Sequence, residues 1–184
     1  MAARVEELND KLIAFIEAQH LFFVGTAAPD GPINVSPKGG DCLKVLSNTQ
    51  ILWLNYTGSG NETAAHLRVS DRMTIMFCAF DGSPLILRCY GRATAIHPRD
   101  ELWQKYSTQL PSHPSARQLI VMDLDFALTS CGFGVPFYDH VGPRDNMDKW
   151  LARRDENDIH DYWREKNQVS LDGLPTGIFE DEKD

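Results

Sequence analysis

Between Gln50 and Phe80 an apolar segment, a turn rich in glycine and hydroxyl residues, a short helical stretch and a second apolar segment follow one another. The turn, Thr57-Gly58-Ser59-Gly60-Asn61-Glu62-Thr63, has more glycine than a plain strand-to-helix connection requires. Glycine lets the backbone approach a ligand closely, and a helix that opens beside it points unpaired N–H groups at whatever sits in front. The pattern suits an anion held by neutral donors. Ser59 and Glu62 also have the spacing of a capping box, which satisfies the same N–H groups with no ligand at all. Both readings stand on the sequence alone.

The segments around this turn are short and closely spaced. Leu21 to Ala27 and Ile33 to Lys38 form a predicted hairpin around Pro29-Asp30-Gly31-Pro32. Further strands are expected at Cys42 to Leu46, Ile51 to Tyr56, Met73 to Ala79, Leu85 to Ile96 and Gln118 to Thr129, the last broken near Asp123-Leu124-Asp125. Such strands, separated by Ser47-Asn48-Thr49 and Asp81-Gly82-Ser83-Pro84, predict a mainly β, antiparallel barrel or sandwich with peripheral helices. Val5, Leu8, Leu12, Phe15, Ile16 and Gln19 follow helical spacing, so an amphipathic N-terminal helix is expected to lie as a lid on the barrel. Helices are also expected over Arg99 to Thr108 and Asp145 to Arg154, the latter continuing to about Asn167. Ser170 to Pro175 reads as an ordered loop whose two leucines gain from burial. With 184 residues, the chain is expected to form a single domain, 1–184, with a C-terminal helical extension.

A net charge of −8 argues against a nucleic-acid or anionic-membrane partner, since both reward basic surfaces. Apolar runs are far shorter than a membrane span and the N-terminus lacks the apolar core of a signal peptide, so a cytoplasmic protein is expected. Cys42, Cys78, Cys89 and Cys131 are scattered without redox or zinc spacing, and the histidines form no i, i+4 pair; no metal site is expected.

Alternation places Asn34, Ser36 and Lys38 on one face of the second strand, a polar and cationic stripe, with Ile33 and Val35 on the other. Pro37 and Gly39-Gly40 interrupt this strand more than a plain hairpin needs. Arg88, Tyr90 and Arg92 share a strand face that presents two cations and a phenol, or simply flanks a half-buried tyrosine with surface arginines. Trp150 and Trp163 read as core or interface anchors. No residue stands out as a catalytic acid, base or nucleophile, and neither His20 nor His66 is a strong candidate.

In order along the chain, Phe22-Phe23-Val24-Gly25-Thr26, the Pro29–Pro32 turn, Asn34 to Gly39, the glycine turn ending in Glu62-Thr63-Ala64-Ala65-His66-Leu67-Arg68, Met76 to Phe80 and Tyr90-Gly91-Arg92-Ala93 resemble the FMN-binding split barrel of the pyridoxamine 5'-phosphate oxidase-like superfamily. The resemblance spans about Ala18 to Gly134. It implies an antiparallel split β-barrel, a homodimer with FMN at the interface, and an oxidoreductase acting on a small organic molecule. The flavin ring then carries the electron and hydride chemistry, which accounts for the missing acid or base. Carried over residue by residue, it implies a cofactor site of Asn34, Ser36, Pro37, Lys38, Tyr56, Thr57, Ser59, Gly60, Asn61, Glu62, Thr63, Arg88, Arg92 and Gly132. Lys38 stands as a phosphate or ribityl contact and Asn34 and Ser36 as flavin-edge contacts. Glu62 is turned away, because a carboxylate repels a phosphate. Gly132, within Ser130-Cys131-Gly132-Phe133-Gly134, resembles a loop that approaches the flavin from the partner subunit; read from its residues alone, the segment is equally a loop that ends the strand.

Two departures narrow the reading. Oxidases acting on vitamin B6 place adjacent basic residues where this chain has Asn61-Glu62-Thr63, and their C-terminal tryptophan- and arginine-containing substrate segment has no counterpart between Arg144 and Asp184. The vitamin B6 reaction itself is therefore not implied. The alternatives are a deazaflavin-dependent reductase on the same barrel and a flavin-binding module without turnover. A haem-handling protein is a weaker one, as no histidine has a persuasive axial setting.

Overall fold

The computed structural model describes residues 2–180. Its frame is one antiparallel sheet of eight strands: β1 (Ala3–Val5), β2 (Leu21–Thr26), β3 (Asn34–Gly39), β4 (Leu43–Ser47), β5 (Gln50–Tyr56), β6 (Arg72–Cys78), β7 (Ile86–Ile96) and β8 (Ala116–Ser130). Five helices flank it: α1 (Asp10–Glu17), α2 (Glu62–Val69), α3 (Trp103–Ser107), α4 (Asn146–Leu151) and α5 (Glu156–Lys166). The strand order is β3-β2-β6-β7-β8-β5-β4, with β1 added to β8. β3 and β5 stand far apart in that order, yet the Lys38 ammonium of β3 lies 3.5 Å from the Asn55 side-chain oxygen of β5. The sheet therefore curls until its ends nearly meet, which makes a half-barrel with a seam between β3 and β5.

Alternation explains which residues fill it. On β2, Phe22, Val24 and Thr26 are buried, and β5 and β8 are buried almost continuously because both sides are covered. Trp53, Phe77, Ile75, Leu87, Leu119, Ile120 and Met122 are the large side chains at the centre. Leu8 and the α1 residues Leu12 and Ile16 close one end. A second, smaller cluster of Ile159, Trp163 and Ile178 lies under the C-terminal helices.

Several local expectations need correcting. The N-terminal helix is shorter than its apolar pattern: Ala3–Val5 pairs with Thr129, Leu128 and Ala127 of β8, and the helix begins only after Asn9, whose side chain caps Leu12 N–H. β8 is one strand rather than two. Opposite Asp123-Leu124-Asp125 the register slips, Tyr90 facing Phe126 while Gly91 faces Leu124, so Asp125 is the extra residue of a bulge. The Arg99–Thr108 helix shrinks to Trp103–Ser107. Leu171 stays 85% exposed, so the loop after α5 is ordered by polar contacts rather than by burying both leucines.

The bulge needs Gly91. A Cβ there would overlap the Asp123 carbonyl oxygen and press on the Met122 side chain. Gly91→Ala should destabilise the fold by about 1–3 kcal/mol, the range for overpacking a rigid neighbourhood; an unchanged denaturant midpoint would show that the bulge relaxes freely.

Candidate functional site

A cavity of about 340 Å³ lies along the β3–β5 seam, within the roughly 300–1,000 Å³ range of ligand pockets. One wall is the polar face of β3. Asn34, Ser36 and Lys38 alternate with exposed Val35, Pro37 and Gly39, so the strand turns its polar side inward and its apolar side out. The facing wall is the end of β5 with Asn55 and Tyr56, and the floor is Thr57 to Thr63 leading into α2.

Asn61, not Ser59, precedes the helix, and no side chain caps it. The capping box expected of Ser59 and Glu62 does not form; Glu62 instead accepts a hydrogen bond from Leu171 N–H at 3.0 Å. A capping box occurs at α5, between Asp155 and Asp158. The first turn of α2 thus faces the cavity with its amides uncapped by side chains, an electropositive end.

Two cations converge on this space. Lys38 reaches Asn55, and Arg117, at the start of β8, is only 2% exposed. The Arg117 guanidinium donates to the Gly60 and Gly58 carbonyls at 3.1 and 3.4 Å and to the Gln118 side chain at 3.1 Å. Asn55 donates to that same Gln118 oxygen at 3.0 Å, so neutral amides alone separate the two charges. Neither forms an ion pair with a carboxylate among the described residues. The consequence is visible in their acidities. Burial, and then repulsion from Arg117, pulls Lys38 down to about 8, while burial pulls Arg117 to about 10. The Ser36 hydroxyl and the Asn61 side-chain oxygen, both on the cavity wall, are buried without a hydrogen-bond partner.

The C-terminal segment braces the floor. Trp163 Nε1 donates to Thr57 Oγ1 at 2.9 Å, the Asn167 amide donates to the Gly58 carbonyl at 2.9 Å, and Asn61 donates to the Asn167 carbonyl at 3.3 Å.

The family model for pyridoxamine 5'-phosphate oxidase matches residues 8–129. The chain is 37% identical to the pyridoxamine 5'-phosphate oxidase family protein ustO of Aspergillus flavus, over 92% of this chain and 76% of that protein. This chain belongs to the pyridoxamine 5'-phosphate oxidase family. Solved structures agree on the fold. An FMN-binding protein from Syntrophomonas wolfei has a TM-score of 0.50 at 16% identity, over 65% of this chain and 84% of that one. A HupZ variant from Group A Streptococcus has a TM-score of 0.53 at 16% identity, over 67% and 99%.

Against the family pattern, the residues named from sequence fall into two groups. Asn34, Ser36, Pro37, Lys38, Tyr56, Thr57, Ser59, Gly60, Asn61, Glu62 and Thr63 all line the seam cavity. Arg88, Arg92 and Gly132 do not. Arg92 is exposed and pairs with Asp71 at 2.7 Å, Arg88 donates to Ser130 Oγ at 3.1 Å, and Gly132 takes φ +67° against the Leu85 backbone. Arg117, Asn55 and Gln118 are the residues that sequence reasoning passed over. Their trace was Arg117-Gln118, a polar pair at the head of the apolar run Leu119-Ile120-Val121-Met122. Arg117 brings a cation to the cavity wall from β8, beside the uncharged Asn61 and Thr63.

Lys38 gives the cavity a pH signature. Its ammonium in the free protein loses its proton near pH 8, and an anion beside it favours the charged form. Inorganic phosphate affinity, followed by calorimetry, should therefore fall as pH rises from 7 to 9, and Lys38→Met should be weaker and flat across that range. A wild-type affinity that stays constant across it would remove Lys38 from the anion site.

Proposed function

We propose that the protein is an FMN-dependent oxidoreductase acting on a small organic substrate, with the cofactor phosphate held in the seam cavity. The observation that carries this reading is the Lys38–Arg117 pair: two cations sharing one cavity, with no carboxylate ion pair among the described residues to neutralise them. Burying a charge is costly without a partner, so such a pair is best accounted for by an anionic ligand. The rest of the donor set suits a phosphate, with a serine hydroxyl still lacking a partner, two glycines that admit close backbone approach, and the uncapped amides of α2. In this reading Lys38, Ser36 and Arg117 hold the phosphate end, and Asn34 and Tyr56 line the path away from it. The isoalloxazine supplies the electron and hydride chemistry when bound, and the chain supplies binding and orientation. The family membership and the Syntrophomonas wolfei FMN-binding protein support a flavin.

The inverted polarity of β3 supports a homodimer. Ile33 and Val35 are 75% and 65% exposed on the outer face of the strand whose inner face lines the cavity. Apolar residues so placed are best covered by a second copy, which brings a partner surface to the edge of the same seam. No helix of the described residues is long and apolar enough to cross a membrane.

The deciding experiment is the visible spectrum of the purified protein with mass identification of any released ligand, followed by FMN titration of Arg117→Met. Flavin bands with FMN released, and at least tenfold weaker binding in the variant, are expected, as a charge-assisted hydrogen bond contributes about 1.5–3 kcal/mol. A colourless protein that does not bind added FMN would overturn the reading, and release of a deazaflavin would overturn the cofactor's identity. Turnover is tested by reducing the bound flavin with NADPH and timing its reoxidation by candidate acceptors.

A further inference from the structure

On α2, Glu62, whose carboxylate also borders Gly60, and His66 meet Asp172, and the three bring one donor atom each to within 4.8 Å of one another. Glu62 and His66 are four residues apart on one helix and so share a face, while Asp172 arrives from the loop after α5. We propose that these three side chains form a binding site for a single transition-series divalent cation, zinc being the best match.

The donors are already arranged as ligands. His66 is 1% exposed, and its Nε2 lies 3.3 Å from an Asp172 oxygen. That is close to the roughly 3.4 Å edge of a tetrahedral site with bonds of about 2.1 Å. The other ring nitrogen, Nδ1, faces Thr26 Oγ1 at 3.2 Å, a hydroxyl that also accepts from Asn34 at 3.0 Å. With Nδ1–H donating to Thr26, Nε2 presents its lone pair to the cation, the orientation that an outer hydrogen bond imposes on a metal-bound histidine. The carboxylates are likewise held from behind. Leu171 N–H donates to one Glu62 oxygen, and the Ser170 hydroxyl donates to the Asp172 oxygen that does not face His66. Gly31, in the β2–β3 turn, keeps the space beside the facing oxygen: a Cβ there would lie 3.2 Å from it.

The charge balance points the same way. Glu62 and Asp172 are both half-buried, the Asp172 side chain being 12% exposed, and neither has a lysine or arginine partner among the described residues. Arg68, two residues beyond His66 on the helix, turns instead to Glu180. Two carboxylates gathered at a buried imidazole with no lysine or arginine beside them form a donor set that suits a divalent cation. One nitrogen and two oxygens select a borderline metal such as zinc over calcium or magnesium, which take oxygen-only sets. Bound there, the cation ties α2 to the loop beyond Asn167, and so braces the cavity floor from outside.

Calorimetric titration of the metal-free full chain with zinc chloride is expected to show one ion per chain, not displaced by excess magnesium or calcium. Asp172→Asn, which keeps the shape of the side chain, should weaken binding tenfold or more, with an unfolding temperature in chelator close to that of the wild type; Glu62→Gln provides a second, independent variant. His140→Ala, which removes half of the stacked surface pair His20–His140, should bind as the wild type does. No saturable binding, equal competition by magnesium, wild-type affinity in both carboxylate variants, or loss in His140→Ala would each overturn the proposal. FMN binding read in the same samples keeps this outcome separate from that of the flavin site.

Discussion

Arg117 is the residue on which the site's geometry turns. It is the second residue of β8, at the register shift where Asn55 faces Gln118 and Tyr56 faces Ala116, so it is the extra residue of a bulge at the edge of the glycine turn. From there its guanidinium reaches out to the Gly58 and Gly60 carbonyls and helps to set the path of the turn. A turn with two glycines has many conformations in isolation, and holding it in one costs entropy. Donation from one guanidinium nitrogen of a buried, charged group to both carbonyls offsets part of that cost and leaves positive potential at the turn. Although burial lowers its pKa to about 10, Arg117 stays protonated at neutral pH. One side chain thus contributes to both the shape and the charge of the cavity.

The C-terminal helices complete what Arg117 begins. Trp163 and Asn167 lie more than a hundred residues from Thr57 and Gly58, yet they hold the same turn from its other side. Their own cluster of Ile159, Trp163 and Ile178 is small, so α5 gains its position as much from these polar links as from burial. Loss of either link leaves a buried donor or acceptor unpaired, which costs about 1–3 kcal/mol. The helical extension is therefore coupled to the ligand cavity and is more than a cover on the end of the barrel.

How much of this could be read from the sequence follows the range over which each signal acts. Strands with period-two burial, such as Leu21–Thr26 and Asn34–Gly39, were legible, because alternation is a local property. So was the glycine turn as a break between β5 and α2, and it lines the seam cavity. The capping box failed because Ser59 and Glu62 are spaced for it while tertiary contacts won both: the cap position falls at Asn61, and Leu171 N–H takes the Glu62 carboxylate. The N-terminal helix was overextended because Val5 and Leu8 continue its apolar period although Val5 is committed to β8. Arg117 and Asp172 stayed hidden for a common reason. Each acquires its role only when distant strands or loops meet, and a search for paired histidines does not find a ligand set made of one histidine, one glutamate and a loop aspartate.

The inverted strand β3 ties the fold to the charge of the molecule. A chain with net charge −8 repels anions at long range, so an anionic ligand gains nothing from diffuse steering. It must be drawn by a local field. Placing Asn34, Ser36 and Lys38 inward, opposite Arg117, concentrates positive potential in a partly desolvated seam, where each charge acts through a lower effective dielectric than at the surface. The same inversion forces Ile33 and Val35 outward, since a strand cannot turn both faces to one side. A polar pocket and an apolar outer surface are thus two results of one register choice. A one-residue slip of β3 against β2 would bury Val35 in the cavity and expose Lys38, removing the inward cation and the apolar face together.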